Sequence, residues 1–320
     1  MGAIRFESVT KQFPGLPRPA VDSCSFDVEE GSFIVLLGPS GCGKTTLLKM
    51  VNRLVEPTEG TIYLGDTDIR QLNVNTLRRQ IGYVIQQTGL FPHMTVAENV
   101  SVVPRLLGWK NEHTRERVDE LLGLVELPPE EYRDRYPSQM SGGQQQRVGV
   151  ARALAGDPQV ILMDEPFGAI DAITRAGLQN ELVALQRQVR KTILFVTHDV
   201  EEALYLADKI VVMRDGKVVQ YDTPFTILTR PADSFVAELI GADDMVRQLS
   251  LIRVEAAMIP VPAHDLPANQ PTISCTDHLR HALSLLLRTG ASALTVTENG
   301  QAVGVLTLEH IRHSAGQASA

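Results

Sequence analysis

The sequence predicts an α/β protein whose core is a largely parallel sheet. Three short apolar segments, 31–38, 160–166 and 192–199, have the composition of buried strands, and the last two carry polar residues at their C-terminal ends. Apolar strands mixed with helical segments are typical of a parallel sheet covered by helices. Because such sheets bind ligands beyond the carboxyl ends of their strands, we expect these polar ends to meet in one site.

Antiparallel and helical segments flank the predicted core. Two alternating runs surround Asp215 and Gly216, which is a strong hairpin signal. Between residues 95 and 158 the pattern is helical, and Thr95–Glu98 (TVAE) has the form of a capping box. One helix face is marked by apolar residues at helical spacing, namely Val118, Leu121, Leu122 and Val125.

Composition limits the classes of function. The chain has 320 residues, of which 43% are hydrophobic, and a formal net charge of −8, so it has no basic footprint for nucleic acid. Cys24, Cys42 and Cys275 are scattered, which suits a reducing compartment without a disulfide framework. No apolar run approaches the ~18 residues of a membrane span, and the N-terminus lacks a signal core. We expect a soluble protein, or one held at a membrane only by a partner.

The composition changes after Gly241. Prolines interrupt residues 241–271, which we interpret as a linker. A small βαββ unit is predicted from Thr272 to about Ile311, with Asn299 and Gly300 forming its hairpin turn. Its helix has leucine and alanine on one face, namely Leu279, Ala282, Leu283, Leu286 and Leu287. A unit of this size buries little surface alone, so we expect it to need a partner.

A phosphate-binding loop is predicted at Gly38–Thr45. Its sequence, GPSGCGKT, fits G-x-x-x-x-G-K-[ST] and follows a predicted strand. Glycines allow backbone N–H groups to curl around an anion, Lys44 would reach the β- and γ-phosphates, and Thr45 would hold Mg²⁺. The candidate nucleotide-binding residues are Gly38, Pro39, Ser40, Gly41, Cys42, Gly43, Lys44, Thr45 and Thr46. We expect no role for the Cys42 side chain.

Two further strand ends carry candidate catalytic groups. Asp164 suits Mg²⁺, directly or through water, and Glu165 suits a general base that polarises the attacking water. His198 ends another strand and is a candidate contact to the γ-phosphate, whereas Asp199 has no clear role.

Two candidates are less specific. Gln86 follows an apolar strand and could ligate Mg²⁺ or orient water, but the adjacent Gln87 has the same chemistry, and spacing does not choose between them. Phe13 would either pack ordinarily or offer a face on which adenine stacks.

The segment Met140–Arg147 (MSGGQQQR) predicts a second anion site. Ser141, Gly142 and Gly143 precede a good helical run, and a helix N-terminus offers N–H groups to an anion. Two interpretations follow from the residues alone. This loop either binds a different anion or closes over the same nucleotide.

The phosphate loop, MSGGQ, LMDEP and VTHD, in this order, resemble the ATP-binding cassette (ABC) ATPase family over about residues 3–240. The resemblance implies a P-loop NTPase fold with a mixed sheet core, an antiparallel β subdomain and an α-helical subdomain at about 90–157. It places an ATPase domain at 1–240, the linker at 241–271 and an α+β unit similar to a single cystathionine-β-synthase-type (CBS) repeat at 272–320.

The resemblance also implies how the site is assembled. Two cassettes pack head to tail as a homodimer, with two ATP molecules and Mg²⁺ between them. Gln86 then falls at the Q-loop position and is a further Mg²⁺ ligand, and Phe13 falls at the adenine-stacking position. The residues implied to act on ATP bound by the other subunit are Ser141, Gly142, Gly143, Gln144 and Asp171.

A closer similarity is to ATPase subunits of quaternary-amine importers, carried by LKMVNRLVEPTEG and RRQIGYVIQ among other stretches. It implies the enzyme class of ABC-type quaternary-amine transporters, a permease seated near residues 86–100, an extracytoplasmic substrate-binding protein and a place at the cytoplasmic face of the membrane. The CBS-like unit is then either a regulatory sensor or a dimer contact. The alternative function is a soluble ABC ATPase in DNA repair or translation, but no coiled-coil insertion or second cassette is evident.

Overall fold

A computed structural model of the chain describes residues 2–86, 89–168, 170–242, 244–261, 270–298 and 300–312. The chain divides into two compact units, Met1–Tyr221 and Asp222–Ala320. Each unit is described by itself below. Among the described residues, no helix has the length and apolar composition that crossing a bilayer requires.

The first unit combines two sheets with helices. Its strands are β1 (Gly2–Lys11), β2 (Val21–Glu29), β3 (Phe33–Leu37), β4 (Glu59–Leu64), β5 (Thr67–Asp68), β6 (Ile81–Val84), β7 (Val160–Asp164), β8 (Thr192–Thr197), β9 (Lys209–Arg214) and β10 (Lys217–Asp222). Its helices are α1 (Lys44–Val51), α2 (Val74–Arg79), α3 (Val96–Leu106), α4 (Asn111–Leu124), α5 (Pro129–Tyr132), α6 (Gly142–Leu154), α7 (Ala172–Val189) and α8 (Val200–Leu206).

The central sheet has the strand order β10-β9-β3-β8-β7-β6, and the pairs from β9 through β6 are parallel. Every residue of β3, β7 and β8 is buried, which explains their continuous apolar composition. The predicted parallel core is therefore confirmed. A second sheet, β2-β1-β4-β5, is antiparallel and forms the flanking β layer.

The hairpin turn, the capping box and the apolar helix face predicted for this unit are all present. Asp215 and Gly216 have φ angles of 50° and 82° and form the turn between β9 and β10. Thr95 Oγ1 accepts from Glu98 N, and Glu98 Oε2 accepts from Thr95 N, so the capping box starts α3. The apolar face of the next helix is buried at Val118, Leu121, Leu122 and Val125.

The second unit contains α9 (Pro224–Thr229), α10 (Ser234–Ile240), α11 (Met245–Leu249), β11 (Ile259–Pro260), β12 (Thr272–Ser274), α12 (Leu279–Thr289), β13 (Ala293–Glu298) and β14 (Gln301–Thr307). The strand order is β11-β14-β13-β12, with β12 parallel to β13 and the other pairs antiparallel. The elements from β12 to β14 have the predicted βαββ order. Asn299, predicted for the hairpin turn, lies outside the described residues.

Two details of this unit differ from the sequence interpretation. The segment predicted as a linker contains α11 and β11, and β11 pairs with β14. On α12, Leu279, Ala282 and Leu286 are buried, but the Leu287 residue is 71% exposed. At 100° per residue, Leu287 lies about 80° from Leu279 around the helix, which places it at the edge of the apolar stripe.

Candidate functional site

The phosphate loop and the candidate catalytic residues lie where the parallel strands end. The adjacent strands β3, β8, β7 and β6 run in the same direction, so their carboxyl ends share one edge of the sheet. The phosphate loop follows β3, Glu165 follows β7, His198 follows β8 and Gln86 lies two residues beyond β6. Side-chain contacts join these segments to one another.

Glycine is required in the phosphate loop by both conformation and space. Gly38, Gly41 and Gly43 have φ angles of 153°, 80° and 107°. A Cβ atom at Gly43 would lie 2.2 Å from the carbonyl oxygen of Ala20, so only glycine fits there. The Lys44 side chain folds into the loop, where Nζ donates to the carbonyl oxygens of Gly38 (2.7 Å) and Pro39 (2.9 Å). The loop thus encloses a buried cation at the start of α1.

Thr45 and Asp164 join the phosphate loop to the end of β7. Thr45 Oγ1 donates to Asp164 Oδ1 at 2.8 Å. Burial raises the pKa of Asp164, and the Thr45 hydrogen bond and the charges of Lys49 and Lys44 oppose that rise. A hydroxyl and a carboxylate side by side are the hard oxygen donors that Mg²⁺ prefers, so this pair fits a divalent cation.

Glu165 is the point at which three strand ends converge. Its Oε2 accepts from Gln86 Nε2 at 3.3 Å and lies 3.3 Å from His198 Nδ1. Its backbone N–H donates to the carbonyl oxygen of Val196 (3.0 Å) on the neighbouring strand, and its φ angle is 44°, in the left-handed region. Gln86 therefore contacts the candidate base, whereas Gln87 lies outside the described residues.

The segment Met140–Arg147 begins α6 with an exposed N-cap. Ser141 Oγ accepts from Gln144 N (3.3 Å), and Gln144 Oε1 accepts from Ser141 N (3.0 Å), which forms a capping box. Ser141 and Gly142 are exposed. In the part of the chain that the structure describes, no hydrogen bond or ion pair joins Ser141 or Gln144 to the phosphate loop. The structure therefore brings this helix end to the surface and not to the loop of its own chain.

Asp171 and Phe13 have contacts of their own. Asp171 caps α7, where Oδ1 accepts from Thr174 N at 3.1 Å, and its side chain is exposed. The Phe13 ring is half-buried, with Lys11 Nζ 5.0 Å from its centroid. Both alternatives stated for Phe13, packing and adenine stacking, stay predictions.

Asp199, which had no predicted role, makes a helix cap and an ion pair. Its carboxylate caps α8, with Oδ1 accepting from Glu201 N (2.9 Å) and Glu202 N (3.3 Å), and Oδ2 lies 3.6 Å from Arg175 Nη1. The cap could have been predicted from the sequence, because an aspartate before a helical run is a strong N-cap signal. The ion pair could not have been predicted, since Arg175 is remote from Asp199 in sequence.

Comparison with known proteins identifies the family. Residues 21–168 match the family model described as ABC transporter. The chain is 48% identical over 309 residues to the carnitine transport ATP-binding protein OpuCA of Listeria monocytogenes, covering 96% of this chain and 76% of that protein. It is 46% identical over 309 residues to the glycine betaine uptake system ATP-binding protein YehX of Escherichia coli, covering 96% of this chain and 98% of that protein.

A solved structure agrees with the fold. The dimeric post-hydrolysis state of the ATP-binding cassette MJ0796 bound to ADP and Pi has a TM-score of 0.61 and 34% sequence identity, and the match covers 69% of this chain and 98% of that one. The similarity to transporter ATP-binding proteins extends over nearly the whole chain. The chain therefore belongs to the ATP-binding proteins of the ABC transporter family.

Proposed function

We propose that this chain hydrolyses ATP to power an importer of quaternary-amine osmoprotectants. The observation that carries the hydrolytic part is the convergence of Gln86 and His198 on one oxygen of Glu165. The substrate class rests on the names of relatives, which include a glycine betaine/carnitine/choline transport ATP-binding protein of Bacillus subtilis at 47% identity over 318 residues. The enzyme class is that of ABC-type quaternary-amine transporters.

The phosphate loop binds ATP through its backbone N–H groups and Lys44. We assign Gly38, Pro39, Ser40, Gly41, Cys42, Gly43, Lys44, Thr45 and Thr46 to this contact. Lys44 is 5% exposed, and its Nζ donates to the carbonyl oxygens of Gly38 and Pro39 and to Cys42 Sγ at 3.7 Å. None of these acceptors is a carboxylate, so phosphate oxygens are stronger partners for the charge of Lys44. Phe13 supplies the face for adenine.

Thr45, Asp164 and Gln86 are the residues that would hold Mg²⁺. The paired oxygens of Thr45 and Asp164 support this assignment, and Gln86 donates through Nε2 to Glu165, which leaves its amide oxygen for a cation. When bound, Mg²⁺ neutralises charge on the β- and γ-phosphates. These three side chains fix where the terminal phosphate lies relative to Glu165.

Glu165 acts as the general base. A carboxylate oxygen of Glu165 accepts a proton from the attacking water as the water approaches the γ-phosphate. His198 contacts the γ-phosphate, and its 3.3 Å approach to Glu165 keeps the two groups on one side of the site. The side chain of Glu165 is mostly shielded from solvent, at 23% exposed, which favours a defined water position.

A second copy of the chain completes each site. Ser141, Gly142, Gly143, Gln144 and Asp171 would contact ATP bound by the partner subunit. The exposed, capped start of α6 supports this role, because its remaining N–H groups and the Ser141 hydroxyl hydrogen can be donated to an anion. The related cassette whose structure is dimeric with ADP and Pi supports a dimer, and we propose that two copies of this chain pack head to tail in it.

The remaining partners are a membrane permease and, beyond it, an extracytoplasmic substrate-binding protein. A groove on the first unit is lined by Tyr83, Ile85, Phe91, Val103 and Arg152. Phe91 is an exposed aromatic residue within the predicted permease-binding segment. We place the chain at the cytoplasmic face of the membrane through this groove. The C-terminal unit, if it is a CBS repeat, acts as a sensor or a dimer contact.

The test is co-purification from membranes followed by uptake. The tagged chain is extracted in detergent, and the membrane protein that accompanies it is identified. The complex is reconstituted in vesicles with ATP inside and the substrate-binding protein outside. We expect ATP-dependent uptake of radiolabelled glycine betaine, carnitine or choline, and none with the Glu165→Gln chain. Recovery with ribosomes or DNA in place of a permease would support the alternative of a soluble ABC ATPase and contradict the proposal.

A further inference from the structure

The turn that carries His198 is held on both sides by one hydroxyl group. Thr197 Oγ1 accepts from Asp199 N at 3.0 Å and donates to Glu202 Oε2 at 2.6 Å. Thr197 and Glu202 are buried, at 2% and 6% exposed. The backbone before and after His198 is therefore fixed to the first turn of α8.

Glu202 extends this connection to another helix. Gln179 Nε2, on α7, donates to Glu202 Oε1 at 3.2 Å. Burial raises the pKa of Glu202, the hydrogen bonds from Thr197 and Gln179 and the charge of Arg175 oppose that rise, and the charge of Asp199 adds to it. A buried carboxylate is a costly way to join two helices, since apolar residues would pack there at lower cost. Its retention points to a positional requirement.

Arg175 makes a second connection between the same elements. Its Nη2 donates to the carbonyl oxygen of Ile170 at 3.0 Å, and its Nη1 lies 3.6 Å from Asp199 Oδ2. Ile170 directly precedes Asp171, and Asp199 directly follows His198. One planar guanidinium group thus spans from the residue before Asp171 to the residue after His198.

We propose that Arg175 and Glu202 are positioning residues that couple the Asp171 segment to the His198 turn, so that a shift of one moves the other. The inference rests on the proposed function, because it takes His198 to contact ATP and Asp171 to lie at the dimer interface. Formation of the dimer displaces or fixes the Asp171 segment, and the rigid fork of Arg175 transmits that state to Asp199. Glu202 and Gln179 keep α8 from moving independently of α7.

The geometry makes His198 sensitive to such coupling. His198 Nδ1 lies 3.3 Å from Glu165 Oε2, near the outer limit of a hydrogen bond. A displacement of about 1 Å changes a catalytic contact from useful to ineffective. The coupling therefore sets whether His198 and Glu165 act together, and it does so without either positioning residue touching ATP.

The test is a set of double-mutant cycles on the full-length chain, with steady-state and single-turnover ATP hydrolysis measured. Arg175→Ala and Glu202→Ala should each lower kcat at least about 10-fold while the KM for ATP stays within about 2-fold. Glu202→Gln should restore most of kcat, because its amide oxygen still accepts from Thr197. Arg187→Ala, an exposed arginine on the same helix, is the matched control and should leave kcat unchanged.

The cycle with His198→Ala separates positioning from general damage. In the His198→Ala chain, adding Arg175→Ala or Glu202→Ala should change the residual kcat by less than about 2-fold, because both act through His198. Multiplicative losses in that background, or a changed KM with unchanged kcat, would overturn the coupling. If either alanine variant fails to fold, as judged by circular dichroism, the test rests on Arg175→Lys, since lysine keeps the charge but not the planar fork. A normal kcat for Arg175→Lys would then overturn the proposal.

The rate of His198→Ala also separates the proposed coupling from the assignment of His198 to the hydrolytic site. A wild-type rate for His198→Ala alone shows that His198 is not part of the hydrolytic site, and both proposals then fail. A slow His198→Ala chain with multiplicative losses leaves His198 in place and removes only the coupling.

Discussion

The hydroxyl of Thr45 donates to Asp164 Oδ1 at 2.8 Å, and this bond joins the end of the phosphate loop to the end of β7. It holds a hydroxyl oxygen and a carboxylate oxygen together before any ligand is bound. The two ends of the site are thus aligned by the protein itself, and ATP meets a site whose parts need little rearrangement.

Replacing Glu165 by glutamine tests the assignment of the base. An amide cannot accept the proton of the attacking water, so Glu165→Gln should lower ATP turnover by about 10²-fold or more. ATP binding should persist, and the variant should accumulate as an ATP-bound dimer in size-exclusion chromatography. Glu112→Gln, an exposed position on α4, serves as the control. Near-normal phosphate release by Glu165→Gln would remove Glu165 as the base.

Mixed dimers test whether Ser141 acts in the partner's site. Ser141→Arg and Lys44→Ala homodimers should each be inactive. In a mixed dimer of the two, one site combines both changes and the other has neither. Equal mixing should therefore restore about a quarter of the wild-type rate if the sites act independently. Failure of any mixture to recover ATPase activity argues against a shared site.

Two glycines of the phosphate loop should differ in their tolerance of alanine. Both have positive φ, but a Cβ at Gly43 meets the Ala20 carbonyl at 2.2 Å, whereas at Gly41 nothing lies within 4 Å. Gly41→Ala should cost about 1 kcal/mol of unfolding free energy from backbone strain alone. Gly43→Ala should cost about 3 kcal/mol or more, because the backbone must also move. Urea unfolding of both variants makes the comparison, and equal losses would contradict it.

Stability should depend on pH through Glu202. Burial raises its folded-state pKa above the ordinary value of 4.5, so the folded chain binds this proton more tightly than the unfolded chain. The resulting stabilisation is present in full below pH 4.5 and is lost as pH rises through the folded-state pKa. Wild type should therefore lose Tm relative to Glu202→Gln as pH rises above 4.5. A constant difference between the two Tm curves would contradict this, and the exposed Glu201→Gln is the control.

The sequence alone predicted those parts of the site whose position follows from the direction of the strands. Asp164, Glu165 and His198 end parallel strands, so their convergence is a consequence of the sheet. The contacts of Arg175 with Asp199 and Ile170 depend on how α7 packs, which no local pattern encodes. The strand β11, which contains Pro260, was also not predicted. Proline is excluded from central strands but tolerated at a sheet edge, where β11 lies, and the edge position depends on the tertiary fold.

At Glu165, selection for stability and selection for ATP turnover favour different residues. A residue with a Cβ at φ 44° carries a conformational cost on the order of 1 kcal/mol, which glycine would relieve. The same replacement would delete the proposed base. Screening variants for heat tolerance alone would therefore favour inactive proteins at this position, and only a screen that also demands turnover would preserve the glutamate. If Glu165 is the base as proposed, the left-handed backbone is the conformation that places its carboxylate in the site.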